Sequence, residues 1–461
     1  MRLSGADIQS ATGGRWHGSV PDSMGAITTD SRIFQTGSTF LALRGANFDG
    51  HVYAASVADR AVALIGDKAG VALWSDLNSN LRLDLSNSIL EVGDTLQAFG
   101  QIANAWRQRL VDTTVIAISG SYGKTSLRSM LETGFSALNL KVAATHANLN
   151  NLIGVPQTLL AVPLDTDIAI IECGISEVGE MERLAAIVQP DITVLTGMTE
   201  AHGEGLGGLA GIVNEKALLL EGANWCALGA GVAELFAKHH IAVHAPCLSM
   251  QQNEPEHVDW QLDDCALTLT YQGQQADMSL SLPAAHWAQN LAFAASIMLR
   301  HLNAASACTS LQSVVAALST WQPQAGRLQT KTGHNGCLIL DDCYNANPVS
   351  MQAAIDTLKA MRGNKVAILG DMAELGDVSD MAHAGLDISQ LDAVYLIGEQ
   401  MQTLAAKHTK VFWFASTDAA LAALTDADFD SRHTILIKAS RSMALEKIVQ
   451  LLSQPEVIHA V

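Results

Sequence analysis

The stretch "TTVIAISGSYGKTSLRSML", residues 113–131, decides the fold. An apolar, β-branched run stops at Gly120, a second glycine follows at Gly123, and Lys124 and Thr125 then open a segment with apolar residues at helical spacing. Strand, glycine loop and helix in that order turn backbone N–H groups and the positive end of a helix toward one point, which suits phosphate oxygens. Lys124 would neutralise phosphate charge, and the Thr125 hydroxyl would face Mg2+. The longer form of this pattern has glycine where Ile118 stands, so the match is the short G-x-x-G-K-T, Gly120 to Thr125. A plain glycine turn with an exposed lysine is the alternative reading.

Outward from the loop, apolar runs alternate with helical stretches: "DIAIIECG" (167–174), "ITVLTGM" (192–198), then "LAGIVNEKALLLEG" (209–222). That alternation predicts a parallel sheet with crossover helices. The alternating segment "WQLDDCALTLTYQGQQADMSLSLP" (260–283) predicts antiparallel strands, and "HWAQNLAFAASIMLRHL" (286–302) a helix. Pro and Gly in "STWQPQAGRLQ" (319–329) interrupt the pattern before four further apolar runs, which predict a second doubly wound sheet over 319–461. Residues 1–88 mix short apolar runs with turn-rich segments, as a small α/β module would. The expected fold class is therefore α/β in three domains: 1–88, a central parallel-sheet unit over 89–318, and a doubly wound, Rossmann-like unit over 319–461. A chain of 461 residues suits that number.

Composition narrows the class. The formal charge of −19 disfavours nucleic acid and anionic membranes, so an anionic substrate needs a few positioned cations. No apolar stretch reaches the roughly 18 residues of a spanning helix, and the beginning lacks the layout of a secretion signal. The seven scattered cysteines form no C-x-x-C pair. A cytoplasmic protein without membrane insertion is expected.

Several strand ends carry polar residues where open α/β sheets bind ligands. Glu172 closes one run and is a candidate Mg2+ ligand, with a loop carboxylate or helix cap as the alternative. His202 follows the next run, although Mg2+ prefers oxygen. Lys216 lies on a mostly apolar predicted helix, where spacing alone favours a solvated lysine. In "LDDCYNANPVSM" (340–351), Asp341, Asp342, Tyr344, Asn345 and Asn347 suggest a binding loop, or equally an Asx-rich turn that caps the next helix.

Taken together and in order, "AISGSYGKTS", "ANLNNLIGVPQTLL", "IIECGISEVGEME", "EAHGEGLGGLAGIVNEK", "LDDCYNANPVSMQAAI", "LGDMAELG" and "LIKASRSM" resemble the Mur ligases of peptidoglycan synthesis. The resemblance covers essentially the whole chain and is nearest to the type that adds D-alanyl-D-alanine to a UDP-N-acetylmuramoyl-tripeptide. "ITTDSRIFQTGSTFLALRGANFDGH" resembles that type's uridine-nucleotide domain. The resemblance implies an ATP- and Mg2+-dependent enzyme that forms an acyl phosphate and passes the acyl group to an amine; a monomer is the expected state. It implies that Gly120, Ser121, Gly123, Lys124, Thr125 and Ser126 hold ATP phosphates, with Thr125 and Glu172 on one Mg2+ and His202 beside metal. Lys216 would be carbamylated to support a second Mg2+. Asn290 would lie on the adenine side, and Arg327 and Asp342 would reach ATP from the last domain. Asp30, Ser31 and Arg32 would hold the uridine nucleotide, and Asn345 and Asn347 the dipeptide.

The chain departs from the family pattern at several points. Gly197 stands for Asn, Gly203 for Leu, Ala439 for Gly, and Ala-Leu follows Lys216 in place of Gly-Glu. "EGANWCALGAGVAELFAKHH" (221–240) lacks the family's motif and reads as a trimmed central domain. A paralogue with another amine and carboxylate, or an inactive nucleotide-binding regulator, are the competing readings.

Overall fold

The computed structural model describes residues 3–45, 47–81, 88–200, 203–250, 256–304, 309–408, 411–425 and 427–454. Strand Thr114–Ser119 sits in the middle of a six-stranded parallel sheet, between Ile192–Leu195 and Ile168–Glu172. Val142–Ala144 forms one edge, and Trp225–Leu228 with Cys247–Ser249 the other. Both faces are covered by helices, as the near-continuous apolar runs require. The segment that reads as trimmed supplies strand Trp225–Leu228 and helix Val232–Lys238. The departure there is one of side chains, and the backbone elements are present.

The central strand has a different core on each face, because successive side chains point oppositely. Val115 and Ala117 join Phe99, Ile102 and Trp106 of helix Thr95–Arg107 and, beyond them, Leu3, Ile8 and Leu41 of the first unit. Ile116 and Ile118 join Leu127 and Leu131 of the loop's helix, Leu291 of helix Ala285–Ala304, and Met351, Ile355 and Leu436 of the third unit.

The first unit is a five-stranded sheet in the order Arg15–His17, Ser88–Val92, Ala63–Asp67, Thr39–Leu41, Ile27–Thr28. Its strand Ser88–Val92 starts at the expected 88/89 boundary, so the sheet continues past that point. The alternating segment is a three-stranded antiparallel meander, Asp259–Asp263, Ala266–Tyr271 and Gln274–Ser279. Helix Leu311–Leu318 precedes the third unit. That unit is doubly wound, with parallel strands in the order Leu338–Asp342, His433–Lys438, Asn364–Gly370, Ala393–Ile397, Val411–Phe414. Gln329–Thr332 pairs antiparallel at its edge.

Candidate active site

The loop between strand Thr114–Ser119 and helix Lys124–Ala137 is built by glycine conformations. Gly123 takes φ 81° at the helix N-cap, and Gly120 takes φ 149° where a Cβ would lie 2.0 Å from Thr196 Oγ1. Ser121 Oγ donates to the Thr199 carbonyl at 3.0 Å, and Thr196 Oγ1 donates to the Tyr122 carbonyl at 2.5 Å. The loop is thus strapped to the residues that follow strand Ile192–Leu195.

Two amines converge on one loop carbonyl. Lys124 Nζ donates to Gly120 O at 2.6 Å, and Lys216 Nζ donates to the same oxygen at 3.2 Å. Lys216 is only 2% exposed, on helix Gly208–Ala217. The solvated-lysine reading is therefore wrong: the helix turns this side chain inward, toward the loop. Burial, and then the Lys124 charge, push the Lys216 pKa down to about 7. Burial also lowers that of Lys124; Glu172 opposes the shift and Arg327 adds to it.

Glu172 closes its strand and is buried. Its Oε1 accepts from Arg128 Nε at 2.8 Å, and its Oε2 accepts from the Thr125 hydroxyl at 3.2 Å. The Thr145 hydroxyl accepts the Glu172 N–H at 2.9 Å and so fixes the strand end. Mg2+ takes one or two protein oxygens when phosphates and water complete its shell. Thr125 Oγ1 and Glu172 Oε2 offer two, so the donor set fits a small hard cation. Arg128 occupies the other carboxylate oxygen, and nothing in the pattern of the sequence marked that residue.

The third unit reaches this point through Arg327. Its Nη2 donates to Thr125 Oγ1 at 3.2 Å, and its guanidinium lies 4.1 Å from the centroid of the Tyr344 ring. Asp342 stands behind it in a buried pair: Lys438 Nζ donates to Asp342 Oδ2 at 2.7 Å and to Asn345 O at 3.0 Å. Burial raises the Asp342 pKa against the pull of Lys438 and Arg327. The parallel register sets Asp342 opposite Lys438. Asn290 lies beside the loop, with Oδ1 3.7 Å from where a Cβ of Gly123 would be. Ser126 sits in the first turn of the loop's helix.

The two asparagines of the loop after Asp342 sit in different settings. Asn347 caps helix Pro348–Ala360: its Oδ1 accepts the Ser350 N–H at 2.9 Å in a reciprocal capping box, so this oxygen has a partner in the helix. Asn345 is exposed, with Oδ1 accepting from Ala346 N–H at 2.9 Å. His202 lies outside the described residues. In the first unit, Asp30 caps the short turn Ser31–Ile33 and binds Arg32 in a fork, with Arg32 Nε donating to Oδ1 at 2.9 Å and Nη2 to Oδ2 at 2.7 Å. That hydrogen bonding lowers the Asp30 pKa to about 2. The adjacent Thr29 Oγ1 accepts from Gln157 Nε2 of the central unit at 3.2 Å.

A glycine loop on a buried parallel sheet, with an arginine from a second doubly wound unit on its threonine, defines a three-unit α/β protein of the phosphate-loop class. The chain belongs to the Mur ligase family. Models of the Mur ligase family catalytic domain, the Mur ligase middle domain, and the Mur ligase glutamate ligase domain match residues 24–107, 118–298 and 326–441. The UDP-N-acetylmuramoyl-tripeptide--D-alanyl-D-alanine ligase of Escherichia coli is 31% identical over 93% of this chain and 94% of its own. That of Bacillus subtilis is 30% identical over 92% of each. A crystal structure of MurF from Acinetobacter baumannii superposes with TM-score 0.84 at 28% identity, covering 98% of both chains. The MurF ligase of Thermotoga maritima in complex with ADP shares the fold, with TM-score 0.77 at 22% identity over 93% of this chain and 97% of that one.

Proposed function

We propose that this chain is an ATP-dependent ligase that joins D-alanyl-D-alanine to the peptide carboxylate of a UDP-N-acetylmuramoyl-tripeptide through an acyl phosphate. The observation that carries the reading is the meeting of Lys124, Lys216 and Arg327 around the loop from Gly120 to Thr125, in a chain whose relatives over nearly full length bear that name. Lys124 and Arg327, from two distant parts of the sequence, bring positive charge to one point of a strongly acidic protein, with the buried amine of Lys216 beside them, where a polyphosphate and a carboxylate must approach each other.

A carboxylate is a poor electrophile, and phosphorylation makes it a good one. A carboxylate oxygen attacks the γ-phosphorus, the bond from that phosphorus to the β,γ-bridging oxygen breaks, and ADP leaves. The dipeptide nitrogen then attacks the acyl carbon, the bond to the phosphate oxygen breaks, and the nitrogen gives up a proton. In this reading Gly120, Ser121, Gly123 and Ser126 cradle the phosphates, Lys124 neutralises the transferring group, and Arg327 aligns it from the third unit. Bound by Thr125 and Glu172, Mg2+ would supply further neutralisation of the phosphates. Lys438 holds Asp342 in place behind Arg327. A pKa of about 7 leaves much of Lys216 as the free amine, the form that adds CO2 to give a carbamate. Asp30, Ser31 and Arg32 face the uridine nucleotide, Asn290 the base, and Asn345 the dipeptide, while His202 keeps the place beside the metal that the family resemblance gives it.

The test is phosphate release with ATP, UDP-muramoyl-tripeptide and D-alanyl-D-alanine, with product mass measured alongside. The expected product is the tripeptide nucleotide plus one dipeptide less water. Turnover that does not need the dipeptide, or that prefers a single amino acid, would replace this reading with another amine acceptor.

A further inference from the structure

Gly197 has no backbone reason to be glycine, since its φ lies outside the left-handed region where glycine is favoured. The space above it is already taken. A Cβ on Gly197 would lie 2.2 Å from Cζ of Tyr122 and 2.5 Å from its Oη. The two residues are also backbone neighbours, bridged in antiparallel fashion, with the Ser121 N–H donating to Gly197 O at 2.6 Å. The Tyr122 ring therefore lies across residue 197, at the position where the family resemblance expects an asparagine side chain.

The same ring lines a small cleft next to the phosphate loop, with Thr196, Gly229, Ala230, Asn290 and Phe293. Gly229 is bare for its own reason, because a Cβ there would lie 1.8 Å from Thr196 O. Tyr122 and Phe293 are the aromatic rings of this lining, and Asn290 brings an amide able both to donate and to accept. A cleft that starts at the phosphate loop and combines aromatic rings with the amides of Gln289 and Asn290 suits the base end of the nucleotide whose phosphates the loop would hold.

We propose that Tyr122 and Gly197 are a complementary pair, in which the ring replaces the side chain missing at 197 and forms the wall against which the adenine nucleoside packs. This rests on the ATP reading given above. It makes Tyr122 a nucleotide-contacting residue and Gly197 the vacancy that admits it. The pair also ties the nucleoside end to the phosphate end within a single loop, since Tyr122 lies between Gly120 and Gly123.

The test is a two-site swap read through three Michaelis constants, after equilibrium binding of ATP to the unaltered protein is established. A protein that does not bind ATP defeats the functional reading itself, before the swap is considered. Tyr122→Ser is expected to raise the KM for ATP about tenfold, the scale of one lost base-to-ring contact, and to leave the KM for the UDP-tripeptide and the dipeptide within about twofold. Gly197→Asn is expected to raise the KM for ATP by a similar factor by pushing the ring out. Tyr122→Ser/Gly197→Asn should recover most of the loss, because the new side chain enters the space the ring has left. An unchanged KM for ATP in Tyr122→Ser overturns the proposal. So does Gly197→Asn being as harmful with Ser at 122 as with Tyr, or a parallel rise in all three constants, which a purely structural ring would produce. Thermal melting of each variant separates misfolding from weak binding; if Tyr122→Ser melts early, the comparison of Gly197→Asn with the double variant still decides.

Discussion

Arg128→Met should destabilise the central unit by about 3 kcal/mol. The substitution keeps an unbranched apolar stem and deletes the charge. The Arg128 side chain is 5% exposed and that of Glu172 1%, with Nε and Oε1 2.8 Å apart, so the pair is little screened by water. Removing one member of such a pair costs about 3–5 kcal/mol, because the other charge remains desolvated. The second partner, Glu132, is 44% exposed and adds less than about 1 kcal/mol. Lys124 acts on Glu172 and goes on offsetting its charge, which places the expectation at the lower end of the range. The assay is denaturant unfolding followed by circular dichroism. A chain of three units need not melt in one step, so the quantity is the midpoint shift multiplied by the slope of the transition that moves. Arg128→Met/Glu172→Gln should lose less than the sum of the two single variants, with a coupling of about 2 kcal/mol. A loss under about 1 kcal/mol, or additive single losses, would refute the claim that the loop's helix is pinned to the strand end by this pair.

Lys124→Ala should abolish phosphate release while circular dichroism stays unchanged; retained turnover would remove the lysine from the phosphate site. Lys216→Ala should lose at least about a hundredfold in turnover and regain part of it with acetate or propionate, since a small carboxylate can enter the space of the carbamate. Failure of every short-chain acid to restore activity would count against a carbamate at this position. Arg32→Ala should return the Asp30 pKa from about 2 toward its ordinary 3.8, read by NMR titration of the carboxyl carbon. The Asp30 pKa is depressed in the folded chain, so its contribution to stability is present above pH 3.8 and is lost as pH falls through about 2; the variant should lack that low-pH step. An unmoved titration would mean that Arg32 does not set it.

Much of the sheet architecture could be read from apolar runs, because buried parallel strands are written as continuous hydrophobic stretches. Strands that fall short of that pattern were missed. Gln329–Thr332 is a polar edge strand, Val142–Ala144 and Cys247–Ser249 have three residues each, and Trp225–Leu228 lies where the family motif is absent. Val411–Phe414, in contrast, is apolar and could have been found from its run of Val, Phe and Trp. The phosphate loop was legible because its glycines, lysine and threonine are adjacent. The pairs Arg128–Glu172 and Lys438–Asp342 were not, since their members are 44 and 96 residues apart and only sheet register and helix direction bring them together. The capping role of Asn347 was one of two readings open in the letters, and the serine three residues on was its sign.

The two-faced strand Thr114–Ser119 has a consequence for how the chain can vary. Were one residue gained or lost within it, every side chain beyond that point would change sides. Val115 and Ala117 would be turned toward the third unit's partners, and Ile116 and Ile118 toward the first unit's, so both neighbours would lose their fit in one event. Length changes that spare the enzyme are thus confined to its connecting loops, and drift in this six-residue rod is limited to exchanges that suit two interiors at once.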